Sequence, residues 1–534
     1  MIKTYPFSEQ TLGHILEDRA TACGDQTFLE FEDGSTVTFK ACDEISNRVA
    51  NGLLSLGLRK GDVLATFIPN SPESVYLWFG AAKAGIIDVP INLANKGTFL
   101  SHIINSSGAK AIVIDSRLIE RLKFIENEVS GLKKVIVWPK TTDPKGLDLK
   151  FEISGLKALV EASLKRPKVH VKASDPFVII YTSGTTGAAK GVLQVHTQIY
   201  LGASDYIEAL RAVPDDVLFT CLPLFHGNAR FLCIYPALLL GAKAVIYERF
   251  SASRFWDQIR RHKVTIFNSL GAIGNFLFGQ PRKADDNDNP VRVCAAFPMP
   301  PQIYKEFETR YNLKVVEGYG LTETAIITYN PYDAPKIGSC GKETKTFEVR
   351  IVDENDYPVA PGTVGEIVAR GKVPWAMTPG YVNMPDKTVE LFRNHFCHTG
   401  DAGYMDEDGY VFFKDRIKDY IRRRGENISS SEIEDVVNSH PKVGSSAAIG
   451  VKSELSEDEV KIVVVLKEGE VLPPEELLAY CVDRMPYFAV PRYVEYVDAL
   501  PRTANEKVQK AKLREVGITA ATWDREKAGI KVER

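Results

Sequence analysis

The sequence predicts an α/β protein. A large N-terminal part of two parallel α/β subdomains plus a small β-barrel-like module is followed by a small α+β C-terminal domain. Changes of pattern along the chain predict it. Residues 1–170 alternate helical periodicity with short apolar runs, and the alternation resumes over residues 217–317, as parallel strands covered on both faces require. Residues 337–413 carry short strands punctuated by turn residues, and a compact mixture of helix and strand follows Arg416.

The elements follow in order. Residues 41–56 and 71–84 have helical spacing, whereas 62–68 and 111–114 are apolar and strand-like. The run Phe177-Val178-Ile179-Ile180 reads as a buried strand, and further strands fall at 217–221, 244–247, 265–268 and 314–317. The β-rich stretch has strands at 348–353 and 366–370. Beyond Arg416, Ser431-x-x-Glu434 reads as a capping box with Ile433, Val436 and Val437 following at helical spacing. Strands at 446–451 and 461–466, a helix at 474–485 and a strand at 493–497 complete that unit. The boundary falls near Lys418, giving domains 1–417 and 418–534.

A chain of 534 residues is too long for one hydrophobic core, so several domains are expected. Apolar content of 44% with 25% charged residues places it among soluble globular proteins. A net charge of -3 without a long basic tract speaks against nucleic acid as a partner. Met1 to Pro6 lack the apolar core of a signal peptide, and the longest apolar run, 233–246, is broken by Lys243, so no membrane span is expected. The eight cysteines are scattered without a Cys-x-x-Cys pair, which fits reduced thiols in a cytoplasmic protein.

The chemistry concentrates in a few segments. Tyr181-Thr182-Ser183-Gly184-Thr185-Thr186-Gly187-Ala188-Ala189-Lys190-Gly191-Val192 directly follows the strand at 177–180. Its glycines let backbone approach a phosphate closely, while its amides, hydroxyls and ammonium supply donors. It is not a Walker A loop, because Gly191 rather than Ser or Thr follows Lys190. Leu222-Pro223-Leu224-Phe225-His226 and Glu317-Gly318-Tyr319-Gly320-Leu321-Thr322-Glu323 each follow a predicted strand. His398-Thr399-Gly400-Asp401 precedes Asp415-Arg416, and Pro501-Arg502-Thr503-Ala504-Asn505-Glu506-Lys507 lies near the end.

In this order the segments resemble the adenylate-forming superfamily of acyl-CoA synthetases, luciferases and peptide-synthetase adenylation domains, over essentially the whole chain. The stretches 501–512 and 522–526 look most like its carnitine/crotonobetaine-CoA ligase-like branch. The resemblance implies an AMP-forming acyl-CoA ligase that takes a small-molecule carboxylic acid, ATP, Mg²⁺ and CoA. It implies that Thr182, Ser183, Gly184, Thr185, Thr186, Gly187 and Lys190 hold phosphates, that Thr322 reaches the α-phosphate and that Glu323 binds Mg²⁺. Asp401 and Arg416 are then the ribose contacts, and Gly318, Tyr319, Gly320, Ala295 and Ala296 surround adenine. Lys507 becomes the lysine that bridges carboxylate and α-phosphate, although Glu506 replaces the family's usual glycine before it. Lys418 takes the hinge position of a mobile C-terminal domain, and Arg422, Arg423, Arg424 and Gly425 resemble a loop bordering the CoA tunnel.

By the same resemblance His226, Asn228, Arg230, Asn268, Gly271 and Phe297 line the acyl pocket, with His226 at its gate. Asn228 and Arg230 are polar for a fatty-acid tunnel and point to a small or polar acid, with an anion opposite Arg230 if that side chain faces the pocket. A quaternary ammonium acid is disfavoured beside such an arginine. Other readings stay open here: an adenylating enzyme loading a separate carrier protein, or a nucleotide-binding relative without turnover. A homodimer stays open beside a monomer.

Overall fold

Two predominantly parallel sheets make up the large part of the molecule in this computed structural model. It describes residues 3–139, 142–143, 146–182, 189–416, 421–423, 426–428, 430–452, 458–485, 489–503 and 507–532. The first sheet has nine strands. It runs from Lys342–Glu343 and Ala325–Tyr329 through Lys314–Leu321, Val293–Phe297, Ile266–Leu270 and Val217–Thr220 to Lys243–Ile246, Thr27–Phe31 and Thr36–Thr38. The second has eight, in the order Gly380–Tyr381, Lys190–Val195, Pro176–Thr182, Ile87–Pro90, Val63–Phe67, Ala109–Asp115, Lys134–Trp138 and Glu152–Gly155. The strands expected from the apolar runs are all present. The pairing partners are less local: Leu29 lies opposite Ala244, so the N-terminal hairpin joins the first sheet and not the sheet of the segment that follows it.

The helix Pro72–Ala84 shows why these layers hold together. Ser71 and Ser74 cap its start reciprocally at 3.2 Å, Pro72 occupies its first turn, and Gly85 ends it with φ 65 in the left-handed region. Every residue from Ser74 to Ala84 is buried. A helix apolar on all sides must be covered on all sides, and one continuous core takes residues from this helix and from both sheets. Side chains of the second sheet also meet the turn that leaves the first: Gln194 donates to the Thr322 carbonyl at 2.8 Å.

Strands Phe347–Val352, Gly365–Gly371, Cys397–Met405 and Val411–Arg416 form a four-stranded antiparallel sheet, an open half-barrel. The C-terminal unit has its own core around Ile421, Ile433, Val460, Leu477 and Val494. Its four-stranded sheet runs Val443–Lys452, Asp458–Leu466, Tyr493–Tyr496, Trp523–Asp524. Among the described residues no helix is long and apolar enough to cross a membrane.

Local expectations fail at two places. The segment Gly318 to Leu321 is the second half of the strand Lys314–Leu321 and does not follow it. The capping box at Ser431 is absent. The helix Ser430–Asn438 begins one residue earlier, and the Glu434 carboxylate accepts the Ala448 N–H at 2.7 Å. The cap comes from another strand: one Asp415 carboxylate oxygen accepts the Ser430 hydroxyl at 2.5 Å and the Ser431 N–H at 3.1 Å. An ionised acceptor at a helix start outcompetes a hydroxyl for the exposed amides. Lys510 closes the cluster, donating to the Ser430 hydroxyl and pairing with Glu434 at 2.9 Å.

Asp415→Ala leaves the buried Ser430 hydroxyl and Ser431 amide without that acceptor, and is expected to destabilise the protein by about 1–3 kcal/mol. Denaturant unfolding followed by circular dichroism measures the loss; an unchanged midpoint would show that the carboxylate caps nothing of consequence.

Candidate active site

The strand Lys314–Leu321 positions one half of the site. Up to Glu317 it pairs in parallel with Val293–Phe297, then it pairs antiparallel with Ala325–Tyr329, with a bulge between Tyr319 and Gly320. Glycine is demanded there. A Cβ on Gly320 would stand 2.0 Å from the Ala325 carbonyl oxygen, and one on Gly318 would stand 2.7 Å from the Tyr329 ring. Bulges re-aim neighbouring side chains, and here the Tyr319 hydroxyl donates to Asp401 at 2.5 Å. Asp401 is 1% exposed, and its Cα partner across the half-barrel is Arg416. Ala295 and Ala296 are buried on the neighbouring strand, Ala296 opposite Glu317.

The other half is built on the second sheet. Thr182 and Lys190 face each other across the hairpin Pro176–Thr182 and Lys190–Val195. The loop tip with Ser183, Gly184, Thr185, Thr186 and Gly187 lies outside the described residues. The Lys190 ammonium sits 4.8 Å from the Tyr381 ring centroid, and the Tyr381 hydroxyl donates to Glu323 at 2.7 Å. Gln194 donates to the Thr322 carbonyl at 2.8 Å, and Gln198 donates to the Glu323 carbonyl at 3.2 Å. Lys190, Tyr381 and Glu323 therefore form one group and Tyr319 and Asp401 another, and the chain from Tyr319 to Glu323 joins the two. Tyr381, Gln194 and Gln198 went unnoticed in the sequence, because their partners lie far along the chain.

The segment after Val217–Thr220 forms a third wall. The His226 ring lies 4.6 Å from that of Phe225, ahead of a short turn, Gly227–Ala229, and a π-helical stretch, Arg230–Ile234. Asn268 bridges to this stretch and also accepts from Tyr206 at 2.6 Å. Gly271 starts the helix Gly271–Phe278, and Phe297 ends its strand with its ring 6.4 Å from Tyr329.

Two expectations are corrected. Arg230 does not wait for a substrate anion. It is 2% exposed, paired with the fully buried Asp88, bonded to the Leu224 carbonyl and 5.1 Å from the Trp78 ring. A buried guanidinium needs a fixed counter-charge, and Asp88 on the second sheet supplies it. Arg423 is likewise taken: it is 2% exposed and pairs with Glu459 at 2.7 Å inside the C-terminal unit, so it is not offered to CoA. Lys418, Arg424 and Gly425 lie outside the described residues, as do the side chains of Arg416 and Arg422. Lys507 is exposed, its N–H donating to Thr503 Oγ1 at 3.3 Å.

A carboxyl on the bulged strand itself is perturbed. Glu317 is 3% exposed, and burial pushes its carboxyl up to about 7. The Met299 N–H donates to one oxygen at 3.0 Å and favours the charged form, but desolvation outweighs it.

These features coincide with known proteins. The chain matches the AMP-binding enzyme model over residues 16–382 and the AMP-binding enzyme C-terminal domain over residues 432–507, and it belongs to that family of enzymes. It is 32% identical over 515 residues to the crotonobetaine/carnitine-CoA ligase of Salmonella typhimurium, across 95% of this chain and 99% of that protein. Its structure is similar to ATP-bound MatB from Rhodopseudomonas palustris, with 28% identity, a TM-score of 0.84 and coverage of 95% and 99%. It is also similar to the o-succinylbenzoate CoA synthetase of Bacillus subtilis in complex with its acyl-adenylate intermediate, with 26% identity, a TM-score of 0.82 and coverage of 94% and 97%.

Two outcomes follow from the buried charges. Because the folded state raises the Glu317 pKa from 4.5 to about 7, protonation favours folding. The contribution is complete below the unfolded value and is lost as pH rises through 7, about 3 kcal/mol in all. Glu317→Gln should thus match the wild type near pH 4 and become the more stable protein toward about pH 8; parallel stability curves would refute the shift. Arg230→Leu should cost about 3–5 kcal/mol by stranding Asp88, and adding Asp88→Leu should restore most of it. A single variant as stable as the wild type would mean that the pair holds nothing.

Proposed function

We propose that this enzyme is an AMP-forming acyl-CoA ligase that joins a small or polar carboxylic acid to CoA through an acyl-adenylate. The observation that carries the reading is that Lys190 and Glu323 meet at Tyr381, while Tyr319, four residues before Glu323, reaches Asp401. It supports assigning cation, hard-oxygen and ribose-binding chemistry to these neighbouring groups. In the first step a carboxylate oxygen attacks the α-phosphorus of ATP, its bond to pyrophosphate breaks, and pyrophosphate leaves. No general base is needed, since a carboxylic acid with a pKa near ~4 is ionised at neutral pH. What the step needs is positioning and charge neutralisation. In the second step the CoA sulfur attacks the carbonyl carbon, AMP departs, and the thiol proton goes to solvent.

The residues take roles accordingly. Lys190 and Thr182, with Ser183, Thr185 and Thr186, hold the outer phosphates, while Thr322 and Lys507 meet the α-phosphate. Asp401 already accepts one donor from Tyr319, and a carboxylate retains acceptor sites for the ribose hydroxyls. Among the described residues no group of three or more His, Cys, Asp or Glu can hold a metal ion. The single carboxylate of Glu323, 9% exposed, fits Mg²⁺ as that ion usually binds, through one or two carboxylates and the nucleotide's own oxygens. When bound, the ion neutralises phosphate charge. His226 gates the acid, Lys418 serves as hinge for a C-terminal domain beginning there, and Arg422, Arg424 and Gly425 border CoA. A cytoplasmic location fits these substrates.

Pyrophosphate release with a panel of acids, with and without CoA, tests the reading. Acid-dependent release with stoichiometric thioester is expected. Adenylate without thioester would indicate a carrier protein as the acceptor, and no release at all would overturn the assignment. Lys507→Ala should slow adenylation by ~10²-fold or more while sparing thioester formation from a supplied acyl-adenylate. Equal loss in both half-reactions would remove Lys507 from the α-phosphate.

A further inference from the structure

We infer that Asn228 turns its amide NH₂ toward the acyl group, so that the preferred acid carries a hydrogen-bond-accepting oxygen away from its reacting carboxylate. The inference rests on the ligase reading and names the chemistry of its acid.

The orientation of this amide follows from its neighbours. The Leu232 carbonyl can only accept, so the Asn268 atom 3.0 Å from it is the nitrogen. That leaves the Asn268 oxygen to the Tyr206 hydroxyl at 2.6 Å. The second hydrogen on the Asn268 nitrogen points to the Asn228 side chain at 2.9 Å, and only the Asn228 oxygen can receive it. Each step leaves one choice. The Asn228 nitrogen, with both hydrogens, is thereby directed away from Asn268, and no protein acceptor meets it among the described residues.

The support behind this donor is rigid. Asn268 is 5% exposed and stands opposite Ala295 on the neighbouring strand. Tyr206 is fully buried, its ring 6.4 Å from Tyr329, the residue that packs behind Gly318. The wall thus runs from the nucleotide-side strand to the half-buried Asn228, two residues beyond His226. The carbonyl that orients Asn268 belongs to the π-helical stretch, a local irregularity that frees backbone groups and recurs at functional sites. With Arg230 committed to Asp88, the open polar function on this wall is a neutral double donor. It suits a ketone, hydroxyl, amide or second carboxylate; it repels an ammonium group.

The test is a matched series of straight-chain acids from butyrate to caproate, each also as its keto and terminal-amino analogue, read as kcat/KM for pyrophosphate release. The wild type should favour a keto acid over its alkyl partner by about tenfold, the worth of one hydrogen bond to a placed donor. Asn228→Leu should erase that ratio. Asn228→Asp keeps the size and still accepts from Asn268, but it offers an acceptor where the donor was. It should invert the preference in favour of the amino acid analogue. Keto and alkyl acids used alike by the wild type, or a keto-to-alkyl ratio untouched by both substitutions, would overturn the donor assignment while leaving the ligase reading intact. No release from any acid would overturn both.

Discussion

The strand Lys314–Leu321 changes partners midway along its length, and the site depends on that change. While it runs parallel to Val293–Phe297 it belongs to the core of a doubly wound sheet. Once it turns antiparallel at Gly318 it leaves that regime and presents its side chains to the half-barrel. The crossing is possible only because Gly318 and Gly320 lack the Cβ atoms that would strike Tyr329 and the Ala325 carbonyl. A backbone that can cross there brings Tyr319 to Asp401, and the turn that follows it brings Glu323 to Tyr381.

Tyr381 is the hinge-pin of the other half in a chemical sense. Its ring face attracts the Lys190 ammonium while its hydroxyl holds the Glu323 carboxylate, so one side chain contacts both a cation and an anion. The glutamines 194 and 198 fix the backbone of the same turn from behind, leaving its side chains to the cleft.

Much of this was legible in the sequence, and the limits have physical causes. Period and turn chemistry report which residues are apolar on which face, so strands such as Val63–Phe67 and helices such as Pro72–Ala84 stand out. They say nothing about which strand a segment pairs with, and the N-terminal hairpin accordingly joins a sheet whose other strands begin some two hundred residues later. The motif residues around Tyr319 and Asp401 were visible because glycine and acid spacing is local. Arg230 and Arg423 misled for the opposite reason: a buried arginine and a ligand-binding arginine read the same until Asp88 and Glu459 come into view. The helix at Ser430 drew its cap from Asp415, across the segment at 417–420, where a local capping box had been the natural reading.

The buried bond between Arg230 and Asp88 carries an evolutionary consequence. It ties the π-helical stretch after His226 to the second sheet through a pair complete within the protein, so the position of that stretch is set at folding. Substitutions along that stretch that spare the pair are then expected to change its side chains without renegotiating the backbone that displays them.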